Sequence, residues 1–391
     1  MKRTLNQFLS RFSKFILDKK VILIVYIIIA IITANKQYWR GNYNNYRIFK
    51  QVFWHSVEQL NLYAHYPLEY FDSNYYGPVF ALLIAPFAVL PDVVGAICWN
   101  IINVLVLWYG IFQLPITEKQ RSWIGLICLH ETLTALFSFQ FNIALTGLVL
   151  LTFSAIVKQQ DIKAAALIIL GFLVKLYGIV GLAFFFFSKN KIKFILAGVI
   201  LLPIMAFLPA IISNPSFVIH SYQEWFQAIV SKNQLNASLT TMQDISIMGM
   251  ARRISGDSSI PSSPFLLGGV ILFALPYLRI NQYKNIDFQL ALLSSVLIFT
   301  VIFSSSSESP TYIIAMAGVA IWFITQPTPR SKGIIALFIF AMLLTSFSPS
   351  DLFPKFIREH YIQPYSLKAL PCVIIWFTLI YQMLTRDYKK I

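Results

Sequence analysis

The sequence predicts an all-α, polytopic integral membrane protein, and three observations predict it. Of its 391 residues, 57% are hydrophobic and 12% are charged, about half the roughly 25% charged content of soluble domains. Mean hydropathy is +0.67. The apolar residues also fall in blocks of roughly 15 to 25, the length a helix needs to cross a hydrocarbon layer of about 30 Å.

These blocks lie near residues 18–36, 78–91, 93–113, 122–139, 142–158, 163–187, 192–212, 263–279, 288–304, 311–325, 333–347 and 367–385. They predict about twelve transmembrane helices in a single membrane domain spanning residues 1–391. Residues 78–91 fall short of the roughly 20 that a straight span requires, and read either as a short span or as a re-entrant helix lining a cavity.

Residues 1–20 place Leu5, Phe8, Leu9, Phe12, Phe15 and Ile16 at helical spacing against a basic face. This is either a helix lying on the inner leaflet or the flank of a signal anchor. Lys2, Arg3, Arg11, Lys14, Lys19 and Lys20 precede the first span and place the amino terminus in the cytoplasm, with the bacterial inner membrane as the expected location. Twelve spans then put Lys189, Lys191 and Lys193, residues 279–284, Arg330 with Lys332, and residues 386–390 on the inner side. Lys119 with Arg121, and Lys158 with Lys163, fall outside in this count unless residues 78–91 fail to span.

The net charge of +15 sits mostly at membrane borders facing anionic headgroups, so the expected partners include membrane lipids and no nucleic acid. Cys98, Cys128 and Cys372 each fall inside a predicted span and read as packing residues. No zinc spacing, GxxxxGK[ST] loop or GxGxxG fingerprint occurs, and the residues call for no metal and no cofactor.

Polar chemistry is concentrated in a first outer loop, residues 35–77, a second large outer loop, residues 213–262, and the shorter segments 304–310 and 348–365. The first is crowded with tyrosine, asparagine and carboxylates, a composition unlike that of a connector. Within it, residues 47–60 put Ile48, Val52, Phe53, Val57 and Leu60 on one face, which predicts a surface-lying amphipathic helix with Lys50 and Glu58 turned to water.

Several residues elsewhere carry an alternative between function and structure. Lys175 lies inside an apolar run, where a charge costs roughly 2.5 to 3.5 kcal/mol. It faces a cavity or a phosphate, or is part of an ion pair or a snorkelling side chain. Glu131 invites the same reasoning, with pairing to Lys175 as its alternative. Gln140 and Asn142 bind a polar ligand or cap a helix. Tyr46, Tyr63 and Tyr76 stack on sugars or anchor at the headgroup level. Arg252 and Arg253, with Asp244, hold a phosphate or form an ion pair, and Glu308 binds substrate or starts a helix.

The runs NYRIFKQVFWHSVEQLNLY and NYYGPVFALLIAPFAVLPDVVGAICWNIIN resemble the opening of glycosyltransferase family 87, whose members are GT-C membrane enzymes using polyprenyl-phosphate sugars. A D-F-x-x-Y-type motif falls on residues 45–49, an (N/D)-x-Y on Asn61 with Tyr63, a Y-x-P segment on residues 76–86, and a W-x-x-x-N helix on Trp99 with Asn103 or Asn100. FQFNIALTG and LVKLYG are similar to the family's G-Q-x-N and lysine-containing I-K-x-x-P segments, a resemblance that implies a sugar-hydroxyl role for Gln140 and Asn142 and a lipid-phosphate role for Lys175. The likeness covers about the first 190 residues.

The resemblance implies a GT-C-type transferase that moves a mannose-like hexose from a polyprenyl-phosphate donor to a glycan or glycolipid acceptor on the extracytoplasmic face, with inversion. It also implies an aspartate base at the position held by Asn45. An amide cannot accept that proton, so Glu58, Glu69 and Asp72 in the same loop, or Asp244 and Glu308 in other outer segments, are the substitute carboxylates. Glu69 and Asp72 are the first to test. A lipid-linked glycan flippase and a non-catalytic transferase relative are the rival readings; a flippase would show repeats between its halves.

Overall fold

The computed structural model describes residues 14–236, 238–239 and 243–389, and among them all regular structure is helical. The apolar face predicted at Leu5, Phe8, Leu9 and Phe12 lies outside the described residues. Among the described residues, four helical segments are long and apolar enough to cross a membrane: α1 (Lys19–Trp39), α4 (Asp92–Phe112), α8 (Lys191–Phe207, prolonged to Ile211) and α15 (Leu370–Thr385, begun at Leu367). At 1.5 Å per residue, a helix of this length spans about 30 Å.

Burial divides the helices into a centre and a rim. α6 (Asn142–Val157), α12 (Ile286–Ile302) and α13 (Tyr312–Ile324) are apolar on all sides and almost wholly buried, as a helix in the middle of a bundle must be. α8 instead exposes Ile192, Ile195, Leu196, Val199 and Ile200. An outward apolar surface and an equally apolar interior are what lipid as solvent permits, because lipid tails do not drive leucine inward as water does.

The turns gather at two ends of the bundle. At one end Trp108 Nε1 donates to the Lys19 carbonyl (3.2 Å), Lys19 pairs with Glu118 at the start of α5 (Glu118–Phe137; 3.8 Å), and Lys158 Nζ donates to Gln113 (2.5 Å). Arg279 bonds the carbonyls of Leu384 and Arg386, and Arg386 donates to Gln326. Lys119, Gln326 and Arg330 line one groove there. The other end is made by residues 40–77, 138–141, 213–236, 243–262, 304–311 and 348–366.

Two segments run differently from expectation, and the consequence is electrostatic. Residues 78–91, which hold α3 (Phe80–Ala88), begin and end against the same helix, α2 (Asn44–Glu58): Phe49 packs on Phe80, while the Tyr46 hydroxyl donates to the Phe87 carbonyl (2.9 Å) and Lys50 pairs with Asp92 (2.7 Å). Residues 163–187 are not one span but a hairpin: α7 (Asp161–Val174) breaks at Lys175, and a 3₁₀ segment, Leu176–Phe187, returns until the Ser188 hydroxyl donates to Asp161 (2.7 Å). The hairpin closes because Gly178 meets Gly171; a Cβ on Gly178 would lie 2.1 Å from the Gly171 carbonyl carbon. The first departure brings Lys119, Arg121, Lys158 and Lys163 to the same end as Lys19, and the second returns Lys189, Lys191 and Lys193 to it, which removes the conflict in the sequence-based count.

α2 itself starts three residues earlier and ends two residues earlier than the predicted 47–60. Ile48, Phe49 and Val52 are buried against α3, Val57 and Leu60 are exposed, and Lys50 is drawn into its pair with Asp92 rather than turned to water.

Candidate functional site

The wall of the site is built by short-range polar clasps in residues 61–77. Asn44 grips Phe71 from both sides, accepting from its N–H (2.9 Å) and donating to its carbonyl, and so carries Asp72 up beside Asn45. Asp72 adopts φ +82°, a conformation that asparagine and aspartate tolerate better than most residues. Asn74 folds back on the Tyr76 backbone, accepting from its N–H at 3.0 Å and donating to its carbonyl at 3.2 Å. The Tyr63 hydroxyl donates to the same Tyr76 carbonyl (3.0 Å), and Trp225, from α9 (Pro215–Asn236), donates to the Tyr75 carbonyl (2.9 Å). Gly77 then passes so close to Leu173 that a Cβ would stand 2.0 Å from its carbonyl oxygen. Behind this wall Tyr76 stacks on Phe80 (4.6 Å between centroids), while Trp99 donates to the Phe139 carbonyl (2.8 Å) and fixes the turn before α6.

These clasps enclose a cavity of about 430 Å³ whose lining includes Asn45, Asp72, Tyr75, Tyr76, Gln140, Lys175, Tyr177, Lys232 and Glu308. Its floor is a line of polar contacts. Lys175 Nζ donates to Asn142 Oδ1 (2.8 Å), Asn142 Nδ2 donates to Gln140 Oε1 (2.7 Å), and Gln140 Nε2 donates to Glu308 Oε2 (3.1 Å). Two amides therefore stand between a cation and a carboxylate of the same cavity. Lys175 also lies over the rings of Tyr177 (5.1 Å) and Tyr76 (5.6 Å), and Lys232 over Tyr75 (4.5 Å). Burial raises the Tyr75 phenol above its ordinary range, reinforced by the charge of Asp72, so Tyr75 remains a neutral hydrogen-bonding group.

The carboxylates named from the sequence separate cleanly. Asp72 and Glu308 line the cavity. Asp72 Oδ1 accepts the Ser73 N–H (2.8 Å), and Oδ2 makes no hydrogen bond among the described residues. Glu308 is held by Gln140 and by a reciprocal cap with Thr311. Glu69 is instead paired with the buried His55 (2.9 Å), and Glu58 is exposed at the end of α2. Asn45 lines the cavity as a donor, its Nδ2 bonding the Ser138 carbonyl (2.8 Å).

Other predicted residues lie in the framework rather than the lining. The Tyr46 hydroxyl is spent on Phe87, and Tyr63 on Tyr76. Asp244 pairs with Arg252 (2.7 Å), whose Nε and Nη2 bond Ile260 and Ser262 (2.9 and 2.6 Å). Burial pushes the Asp244 carboxyl up, with Ser246 and Arg252 pulling it back down. Arg253 bonds the carbonyls of Leu239 and Gln243 (3.1 and 3.2 Å). Glu131 is buried against Lys368 (3.0 Å), not Lys175.

Sequence reasoning missed Lys232, Tyr177 and Lys368. Nothing in the polar run around Lys232 distinguishes it. Lys368 carries a signal, a lysine in the first turn of an apolar helix, of the kind that singled out Lys175.

The arrangement suits an anionic ligand: two lysines reach the cavity, aromatic faces border it, and a carboxylate with one unengaged oxygen stands within it. None of the curated proteins matches the chain. The family model of glycosyltransferase family 87 matches residues 74–305, more than half of the chain, and includes Lys175, Lys232, Gln140 and the aromatic wall from Tyr75. The protein therefore belongs to glycosyltransferase family 87.

Proposed function

We propose that this membrane glycosyltransferase takes a mannose-like hexose from a polyprenyl-phosphate donor and passes it, with inversion, to a hydroxyl of a glycan or glycolipid acceptor at the end of the bundle holding the cavity. The architecture is of GT-C type with about twelve passages. The gathering of basic turns at the opposite end supports a cytoplasmic position for that end and an extracytoplasmic one for the cavity.

The observation that carries the reading is the sharing of one cavity by Lys175, Lys232 and Asp72. The lysines hold the lipid phosphate and stabilise the charge it gains as it leaves. Tyr75 and Tyr76 border the sugar. Asp72 takes the acceptor proton as the acceptor oxygen bonds to the anomeric carbon; the bond from that carbon to the phosphate oxygen breaks, and its electron pair departs with the phosphate. Asp72 thus replaces the base that Asn45 cannot be. Glu308, capped and bonded to Gln140, accepts sugar hydroxyls and keeps the amides in line.

Radiolabelled polyprenyl-phosphate hexoses offered to membranes containing the protein test this. Transfer that drops about 10² to 10⁴-fold in Asp72→Asn supports it. Absence of incorporation from every such donor would sink the reading. Loss in Glu308→Gln with Asp72→Asn still active would move the base to Glu308.

A further inference from the structure

We propose that Lys368 is a positioning residue for the site: through Ser309 it sets the place of Glu308, so the carboxy-terminal helices complete a cavity begun by the first outer loop. The proposal rests on the function proposed above for what Glu308 then does. The family match ends at residue 305, so both Glu308 and Lys368 lie beyond it.

The ammonium of Lys368 has three protons to donate, and its partners surround it. It contacts both oxygens of Glu131 (3.0 and 3.1 Å), the Ser309 hydroxyl (2.8 Å) and the Ser309 carbonyl (3.1 Å), and lies over the Tyr312 ring (5.0 Å). Both charged residues are buried, Glu131 completely. The Lys368 backbone is held in turn by the Thr345 hydroxyl (2.8 Å), which comes from a π-helical turn, Ala341–Phe347; such turns recur at functional positions. Beside Glu131, His130 approaches Ser346 of the same turn (3.4 Å).

From the other flank the loop is tied by the Ile245 N–H to the Ser307 carbonyl (2.7 Å) and by the Tyr312 hydroxyl to the Ile245 carbonyl (2.7 Å). Ser307 and Ser309 are thus fixed on either side of Glu308, and the Gln140 contact at 3.1 Å is made from that fixed point.

Stability alone does not account for the pair. Buried ion pairs are often no more stabilising than apolar residues of the same volume, because desolvation offsets their attraction. An apolar pair, however, has no donor for the hydroxyl and carbonyl of Ser309. The distinctive product of the arrangement is a located loop.

The test compares Glu131→Gln/Lys368→Met, in which both charges are removed together, with the intact protein, using polyprenyl-phosphate mannose as donor. The double variant is expected to stay folded, to lose about 10 to 100-fold in kcat with the donor KM within about threefold, and to exchange amide hydrogens in residues 304–311 at least about tenfold faster. Wild-type turnover together with wild-type exchange in that segment would overturn the proposal. If the double variant does not fold, Ser309→Ala decides: it leaves the ion pair intact and removes one contact, with an expected loss of about 3 to 10-fold in kcat, and an unchanged kcat refutes the proposal. Should the wild-type protein transfer no sugar, the proposed function fails, and the exchange readout still judges the strut.

Discussion

Two lysines, Lys175 and Lys368, sit in similar apolar surroundings and are treated in opposite ways. Lys368 meets its carboxylate directly, at 3.0 Å from Glu131, and spends its remaining donor capacity on Ser309. Lys175 shares a cavity with Glu308 but is kept from it by Asn142 and Gln140, and it faces aromatic rings and open space. The first charge is consumed by the protein. The second is held by a single amide, Asn142 (2.8 Å), and borders the cavity. Under the proposed function, the separation of a lysine from its carboxylate marks the working end, and closure of the pair marks the framework.

The largest effect expected from this comparison is on stability. Lys368→Ala leaves Glu131 charged and alone, which costs about 3 to 5 kcal/mol, whereas Lys175→Ala at the open site costs under about 1 kcal/mol. Thermal unfolding of the two variants in detergent checks the ranking, and equal losses would erase the distinction. Next comes chemistry: Asp72→Asn reduces transfer by about 10² to 10⁴-fold. Because Asn45 and Asp72 line one wall, adding Asn45→Asp to that variant is expected to recover transfer, and a double variant as slow as the single one contradicts their equivalence.

Smaller effects follow for binding. Each lysine offers a charged hydrogen bond worth about 1.5 to 3 kcal/mol, so Lys175→Met weakens polyprenyl-phosphate binding by about 10 to 150-fold. Lys232→Met, at the lysine that lies over the Tyr75 ring, is expected to weaken it less; equilibrium binding at two salt concentrations reads both. Smallest is a test of the hairpin that presents Lys175. Gly178→Ala forces a methyl against Gly171 at 2.1 Å and is expected to cost about 1 to 3 kcal/mol, with a matching loss of donor affinity. A variant as stable and as tightly binding as the parent would show that the two passages need not touch.

The sequence by itself determined the solvent of this protein, its helical class and its family, because composition, block length and local motif spacing are properties of neighbours along the chain. The polar, tyrosine-rich composition of residues 35–77 was likewise legible, although its first five residues belong to α1. Tertiary structure alone decided which carboxylate stands where. Asp72 reaches the cavity because Asn44 clasps Phe71, and Glu69 does not because His55 holds it; neither bond leaves a pattern in hydropathy. It also decided that residues 163–187 turn back at Lys175. A span and a hairpin of the same apolar residues satisfy the membrane equally, and contacts such as Gly171 with Gly178 and Ser188 with Asp161 separate them. Burial of apolar surface acts on whole segments and can be read from composition, whereas directional hydrogen bonds and close backbone contacts act between residues distant in sequence and exist only once the chain has folded.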